Sequence, residues 1–196
     1  MATAVCRSTG CAPSRLETLS SVVRLAVELA HEGREGRSVG TLLVVGNAEE
    51  VLRHSRPLML DPLAGHDQSL RQIDDPSFRE TVKELAQLDG AFIVDDDGTC
   101  MSAARFIEVD LRAARQLPAG LGARHAAALS ISAVADAVGV AASESSLVRV
   151  FAAGELRAEI APETFGREGA SFAIAEATIH ELAGPGLTIA LADRAA

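Results

Sequence analysis

Three short segments of the chain carry residue types that can hold a phosphate or a metal ion. The first is Asp89-Gly90-Ala91. Its carboxylate can hold a metal ion or a ribose hydroxyl, and its two small residues let the backbone approach a ligand closely. The second is Gly120-Leu121-Gly122-Ala123-Arg124-His125, leading into an apolar stretch. A glycine-rich approach to a helix N-terminus offers N–H donors and a positive dipole end to a phosphate. Arg124 adds a bidentate fork and His125 another donor. The third is Ser143-Glu144-Ser145-Ser146, where hydroxyls suit phosphate and the carboxylate suits a metal. Taken singly, each has a plain structural explanation. Asp-Gly pairs and serine runs are common turn chemistry, and an Arg-His pair on a capped helix can simply face solvent. The second segment lacks GxxxxGK[ST], so it is not a Walker-type loop.

Other candidates are weaker. His31, His54, His66 and His180 are scattered without zinc-site spacing. Ser130 and Ser132 have no GxSxG elbow. Asp95, Asp96 and Asp97 are explained by a turn, and Glu80, Lys83 and Glu84 by a solvated helix face. Cys6, Cys11 and Cys100 are an odd count without a CxxC pair, and reduced thiols are expected. The net charge of −9 argues against a nucleic-acid partner, so a phosphate must be held by a local site. No apolar run reaches the roughly 18 residues of a membrane span, and none serves as a signal peptide. The expectation is a soluble, cytoplasmic protein with no membrane partner.

The elements that must position these segments follow from periodicity. Residues 1–13 lack it and are expected to be disordered. Ser14 and Glu17 form a capping box before a helix carrying Leu16, Leu19, Val22, Val23, Ala26, Val27 and Ala30, ended by Gly33 and Gly36. Thr41 to Val45 reads as a buried strand. Asn47 with Glu50 caps a second helix. Residues 57–73 are irregular, and Asp75-Pro76 opens a third helix, with Phe78, Val82, Leu85 and Leu88 inward. Ala91–Val94, the Asp96-Asp97-Gly98 turn and residues 99–107 form a hairpin. A helix runs from about 123 to 137, followed by strands at 138–142, 147–152 and 156–160. After Pro162, residues 170–182 read as a helix and 187–191 as a final strand. This order of elements indicates an α/β fold, a central mixed β-sheet flanked by helices on both faces.

The order and spacing of the three segments resemble the diadenylate cyclase (DAC) family. LDGAFIVDDDGTCMSAARF, then LPAGLGARHAAALSIS and VAASESSLVRVFAAGEL, are very similar to its core. GTLLVVGNAEEVLRHSRPLMLDPLAGH resembles the stand-alone, archaeal-type branch. The resemblance covers roughly residues 14–160, so residues 14–196 are expected to form a DAC domain with an unmatched tail.

The resemblance implies that each subunit binds one ATP and that two subunits face each other as a homodimer or larger homo-oligomer. Two ATP would then become cyclic di-AMP and two pyrophosphates, with divalent Mn2+ or Mg2+. It places Asp89 near the ribose 3′-hydroxyl and the metal, with Gly90 and Ala91 as backbone neighbours of the nucleotide. Arg124 and His125 match the first two members of the phosphate-gripping RHR motif, with Gly122 and Ala123 leading into it. Ser143 and Glu144 match the phosphate and metal contacts after the following strand. The implied metal ligands are thus Asp89 and Glu144, and the implied catalytic set is Asp89, Arg124, His125 and Glu144. Ala126 departs from the pattern, standing where many bacterial members have the second arginine. It is the one feature that favours an alternative, a catalytically degenerate module that senses ATP or cyclic di-AMP.

Overall fold

Side chains alternate along a strand, so a strand buried on both faces feeds two cores. The computed structural model, which describes residues 2–10, 12–33, 39–110, 112, 117–118, 120–163, 172–174, 176–182 and 186–192, is built on that rule. In β1 (Thr41–Gly46), Leu43 and Val45 face one core while Leu42 and Val44 face the other. The first core is closed by α1 (Ala2–Thr9), α2 (Leu16–Glu32) and α4 (Pro76–Leu85), through Val5, Leu19, Val22, Leu25, Phe78 and Val82. The second is closed by α3 (Ala48–Arg53) and α5 (Ala123–Val134), through Ala48, Val51, Leu129 and Ile131.

The described strands form one sheet. After β1 they are β2 (Ser55–Pro57), β3 (Ala91–Val94), β4 (Cys100–Ile107), β5 (Ala137–Ala142), β6 (Val148–Ala152), β7 (Glu155–Pro162), β8 (Ala177–Leu182) and β9 (Leu187–Ala192). Their order is β2-β4-β3-β1-β5-β6-β7-β9-β8. Among the pairings of these strands, β1 with β3 is parallel and the others are antiparallel. The expected mixed sheet with helices on both faces is therefore present. No helix among the described residues is long and apolar enough to cross a membrane.

Local chemistry explains most boundaries. Asn47 Oδ1 accepts from the Glu50 amide at 3.1 Å, and Asp75 Oδ1 from the Phe78 amide at 2.9 Å, with Pro76 in the first turn. Gly33, at φ 62°, ends α2 by donating its amide to Leu29. Asp95, Asp96 and Asp97 are occupied by structure, as the turn reading expects. Asp95 accepts from the Ala48 amide, Asp97 from the Thr99 amide and Asp96 from Arg15.

Five expectations differ from the structure. Leu88, expected inward on the third helix, lies past its end and is exposed. No side chain caps α2. Its flanking residue is Arg15, 2% exposed, whose guanidinium reaches Asp96 at 2.5 Å and Asp136 at 2.9 Å, so this ion pair and not a capping box fixes the helix start. The first residues are not a disordered start: Ala2–Thr9 is helical and buries Val5 against the sheet. Cys6 is disulfide-bonded, whereas Cys100 is free and buried, its thiol pushed up to about 12 chiefly by burial. Finally, the helix expected at 170–182 is strand β8 over its last six residues, because pairing with β9 supplies the backbone bonds that an isolated helix would have to make for itself. Residues 170 and 171 lie outside the described residues.

Candidate functional site

The sheet order brings the three segments together. β1 and β3 are parallel neighbours, so Gly40 before β1 and Asp89 before β3 lie at the same end of the sheet. β5 runs antiparallel to β1 and pairs Ala142 with Thr41, which delivers the β5–β6 turn and Glu144 to that end. α5 precedes β5 and lies along it, so its first turn, with Arg124, also starts there. This is the amino-terminal end of the parallel pair, opposite to the carboxyl end used by doubly wound sheets.

A cavity of 230 Å³ occupies this place, lined by Val39, Gly40, Ala86, Gln87, Leu88, Asp89, Arg124 and Glu144. Asp89 and Glu144 are exposed and Arg124 is half-buried, so their charged groups are open to a ligand. Gly40 supports Arg124: a Cβ at Gly40 would stand 2.3 Å from Arg124 Nη1 and 2.8 Å from its Cζ. The guanidinium lies over a stretch of backbone that only glycine leaves clear. Gly40 was not among the expected site residues. Its signal in the sequence is a glycine immediately before a buried strand, which is also a common way for a strand to begin.

The other expected residues are placed differently. Gly122 caps α5 without a side chain, and the His125 amide already donates to the Gly122 carbonyl at 3.0 Å. The Ala123 and Arg124 amides are therefore the ones open to water or a ligand, and Ala123 is exposed beside Gly122. His125 is buried behind Arg124 and does not line the cavity. Its ring meets Phe151 edge-on at 6.2 Å. Its pKa is pushed down to about 4, first by burial and then by Arg149 and Arg124. Ser143 stays in its turn, its hydroxyl 2.9 Å from that of Ser145 and its amide donating to Leu147 at 2.8 Å. Ala91 is buried in the second core. Gly90 has a structural reason of its own. At φ 107°, a Cβ there would come within 2.7 Å of the Ala104 carbonyl carbon, where β3 and β4 are irregularly paired.

Two carboxylates on separate turns, lining one cavity, suit a hard divalent ion. Mg2+ commonly takes one or two protein carboxylates and completes its shell with water and substrate phosphates. Among the described residues no group of three or more His, Cys, Asp or Glu forms a closed metal cage. The donor set of Asp89 and Glu144 therefore fits an ion shared with a phosphorylated substrate.

The sequence is similar to that of known proteins. Residues 28–156 fit the DAC family, described as the DisA bacterial checkpoint controller nucleotide-binding domain. The chain is 45% identical over 146 residues to a diadenylate cyclase of Methanocaldococcus jannaschii, covering 74% of this chain and 46% of the relative. It is 38% identical over 148 residues to a diadenylate cyclase of Haloferax volcanii, covering 75% and 54%. The chain thus spans about half the length of these curated relatives. Among solved structures, a double mutant of DacA from Staphylococcus aureus overlaps it with a TM-score of 0.45 and 22% identity, over 72% of this chain and 85% of that one. A hypothetical membrane-spanning protein of Bacillus cereus does so with a TM-score of 0.49 and 21% identity, over 71% and 62%. With 129 consecutive residues (28–156) fitting the family and its DGA, ARH and SES segments gathered at one end of the sheet, the chain belongs to the DAC family.

Proposed function

We propose that the chain is a diadenylate cyclase, joining two ATP into cyclic di-AMP with release of two pyrophosphates. The observation that carries this reading is the meeting of Asp89, Arg124 and Glu144, from three distant segments, on one cavity. The relatives' names supply the reaction; the cavity supplies groups suited to it.

Each 3′-hydroxyl oxygen forms a bond to the α-phosphorus of the other ATP. The bond from that phosphorus to the bridging oxygen breaks, and pyrophosphate carries the electron pair away. The protein's work is alignment and charge neutralisation. Arg124, backed by Gly40, meets phosphate oxygens with a guanidinium that keeps its charge. The uncapped first turn of α5 adds amide donors and a positive dipole end. Asp89, on the cavity wall, would accept the hydroxyl proton. Asp89 and Glu144 would hold Mn2+ or Mg2+, which supplies positive charge to the transferring phosphate. Because each ATP attacks the other, the working unit is a symmetric pair of chains. An ATP substrate supports a cytoplasmic activity.

The test is direct. Purified chain with ATP and either ion should yield cyclic di-AMP and pyrophosphate by mass spectrometry. ATP that binds under both ions but is recovered unchanged would overturn the cyclase reading.

A further inference from the structure

His125 is 7% exposed, and its Nδ1 finds no hydrogen-bond partner among the described residues. Its other nitrogen, Nε2, lies 3.4 Å from Nη1 of Arg149. A guanidinium has donors only and keeps its proton. Nε2 must therefore be the acceptor, and the proton of the neutral ring sits on Nδ1.

Arg149 is itself held in place. It faces Glu159 across β6 and β7, and its Nε donates to Glu159 Oε1 at 2.8 Å. Glu159 is fully buried. Its second oxygen, Oε2, accepts the backbone amides of Ala173 and Ile174 at 2.5 and 3.0 Å. A continuous line of polar contacts thus runs from residues 173–174, through Glu159 and Arg149, to the first turn of α5. Glu159, Ala173 and Ile174 all lie beyond the 28–156 stretch that matches the family.

A buried carboxylate, guanidinium and imidazole are costly to desolvate, and apolar residues of similar size would pack as well. What this set supplies that apolar residues would not is a fixed ring orientation and a fixed proton.

We propose that Arg149 and Glu159 are positioning residues: they fix His125 as the Nδ1-protonated tautomer, and so fix the first turn of α5 that presents Arg124 to the nucleotide, with residues 173–174 as the far anchor. The proposal rests on the nucleotide-site reading of the cavity. Its consequence is that the segment after residue 156 takes part in site geometry.

The ring proton is read by nitrogen-15 NMR of the full chain without nucleotide. Binding of a non-hydrolysable ATP analogue is read separately by calorimetry. The expected wild-type spectrum shows His125 with Nδ1 protonated and Nε2 bare. Arg149→Met removes the donor, so the proton should move to Nε2 and analogue affinity should fall about tenfold, the size of one charge-assisted contact. Arg149→Lys, which keeps a cationic donor, should restore the tautomer and part of the affinity. Glu159→Gln, which keeps one of the two acceptor oxygens but loses the charge, is the second variant should Arg149→Met fail to fold, and an intermediate loss is expected. A wild-type ring protonated on Nε2 overturns the proposal. So does a folded Arg149→Met whose tautomer and affinity match the wild type. Failure of the nucleotide reading looks different: the wild-type tautomer stands as described, and no variant or wild type binds the analogue.

Discussion

Asp89 and Glu144 are both exposed, and neither is used by the fold as an ion-pair partner among the described contacts. Their replacement should therefore cost function and spare stability. Asp89→Asn keeps the shape and removes the charge; product formation should drop by about a hundredfold or more while the melting temperature holds. A variant that turns over near the wild-type rate would remove Asp89 from the site. Gly40→Ala probes Arg124 without touching it. The added methyl collides with the far end of a flexible side chain, so the guanidinium must move away. Analogue affinity should fall about tenfold, as for one charge-assisted phosphate contact, with little change in thermal stability. His125 makes a pH prediction. Its folded pKa of about 4 lies below the ordinary 6.5, so between these values the unfolded chain binds a proton that the folded chain refuses. Stability from this group is complete above pH 6.5 and is lost as the pH falls toward 4. His31 is also shifted down by burial and adds a slope of the same sign, so the difference between wild type and His125→Gln melts isolates His125.

At the scale of elements, the irregular pairing of β3 and β4 is the sharpest constraint. Gly90→Ala would place a Cβ against the Ala104 backbone at a left-handed φ, and β4 cannot yield without losing register. The expected loss is at least about 2 kcal/mol in a denaturant melt without nucleotide, from strain and overpacking together. An unchanged midpoint would mean that the strands part easily there. The same position shows what the sequence could and could not tell. Gly90 was legible as part of a motif, but its reason is a strand crossing, which depends on a residue fourteen places away. Caps at Asn47 and Asp75 and the Asp-Gly hairpin were legible because their bonds are local. The capping box at Ser14 was not, because Arg15 answers to Asp96 and Asp136, both distant in the chain. Strand β8 was misread because its alanine-rich approach carries no clear period, and pairing with β9 decides its form. For the site, Asp89, Arg124 and Glu144 were legible through the order of their segments. Their meeting depends on β3-β1-β5 adjacency, which local spacing does not encode. Gly40 was missed for the same reason.

At the scale of the whole molecule, the proposed reaction consumes two ATP while one chain carries one set of the three segments. Activity per chain should therefore fall on dilution once facing pairs separate, and light scattering should track the loss. A strictly monomeric chain that still makes cyclic di-AMP would sink the paired mechanism. The sheet itself has a different consequence. The stretch that matches the family stops at residue 156, two residues into β7, yet β7, β9 and β8 continue the same sheet beyond it. A chain cut back to that boundary would keep only Glu155 and Leu156 beside β6, leaving the amides and carbonyls along Val148–Val150 without their β7 partners. It would also uncover Val148 and Val150, which pack with Ile160 and Ile189. Apolar open edges of this kind recruit strands from other molecules. The minimal family-matched fragment of this protein is thus expected to come out of solution as aggregate, and the shortest well-behaved version must reach through β9.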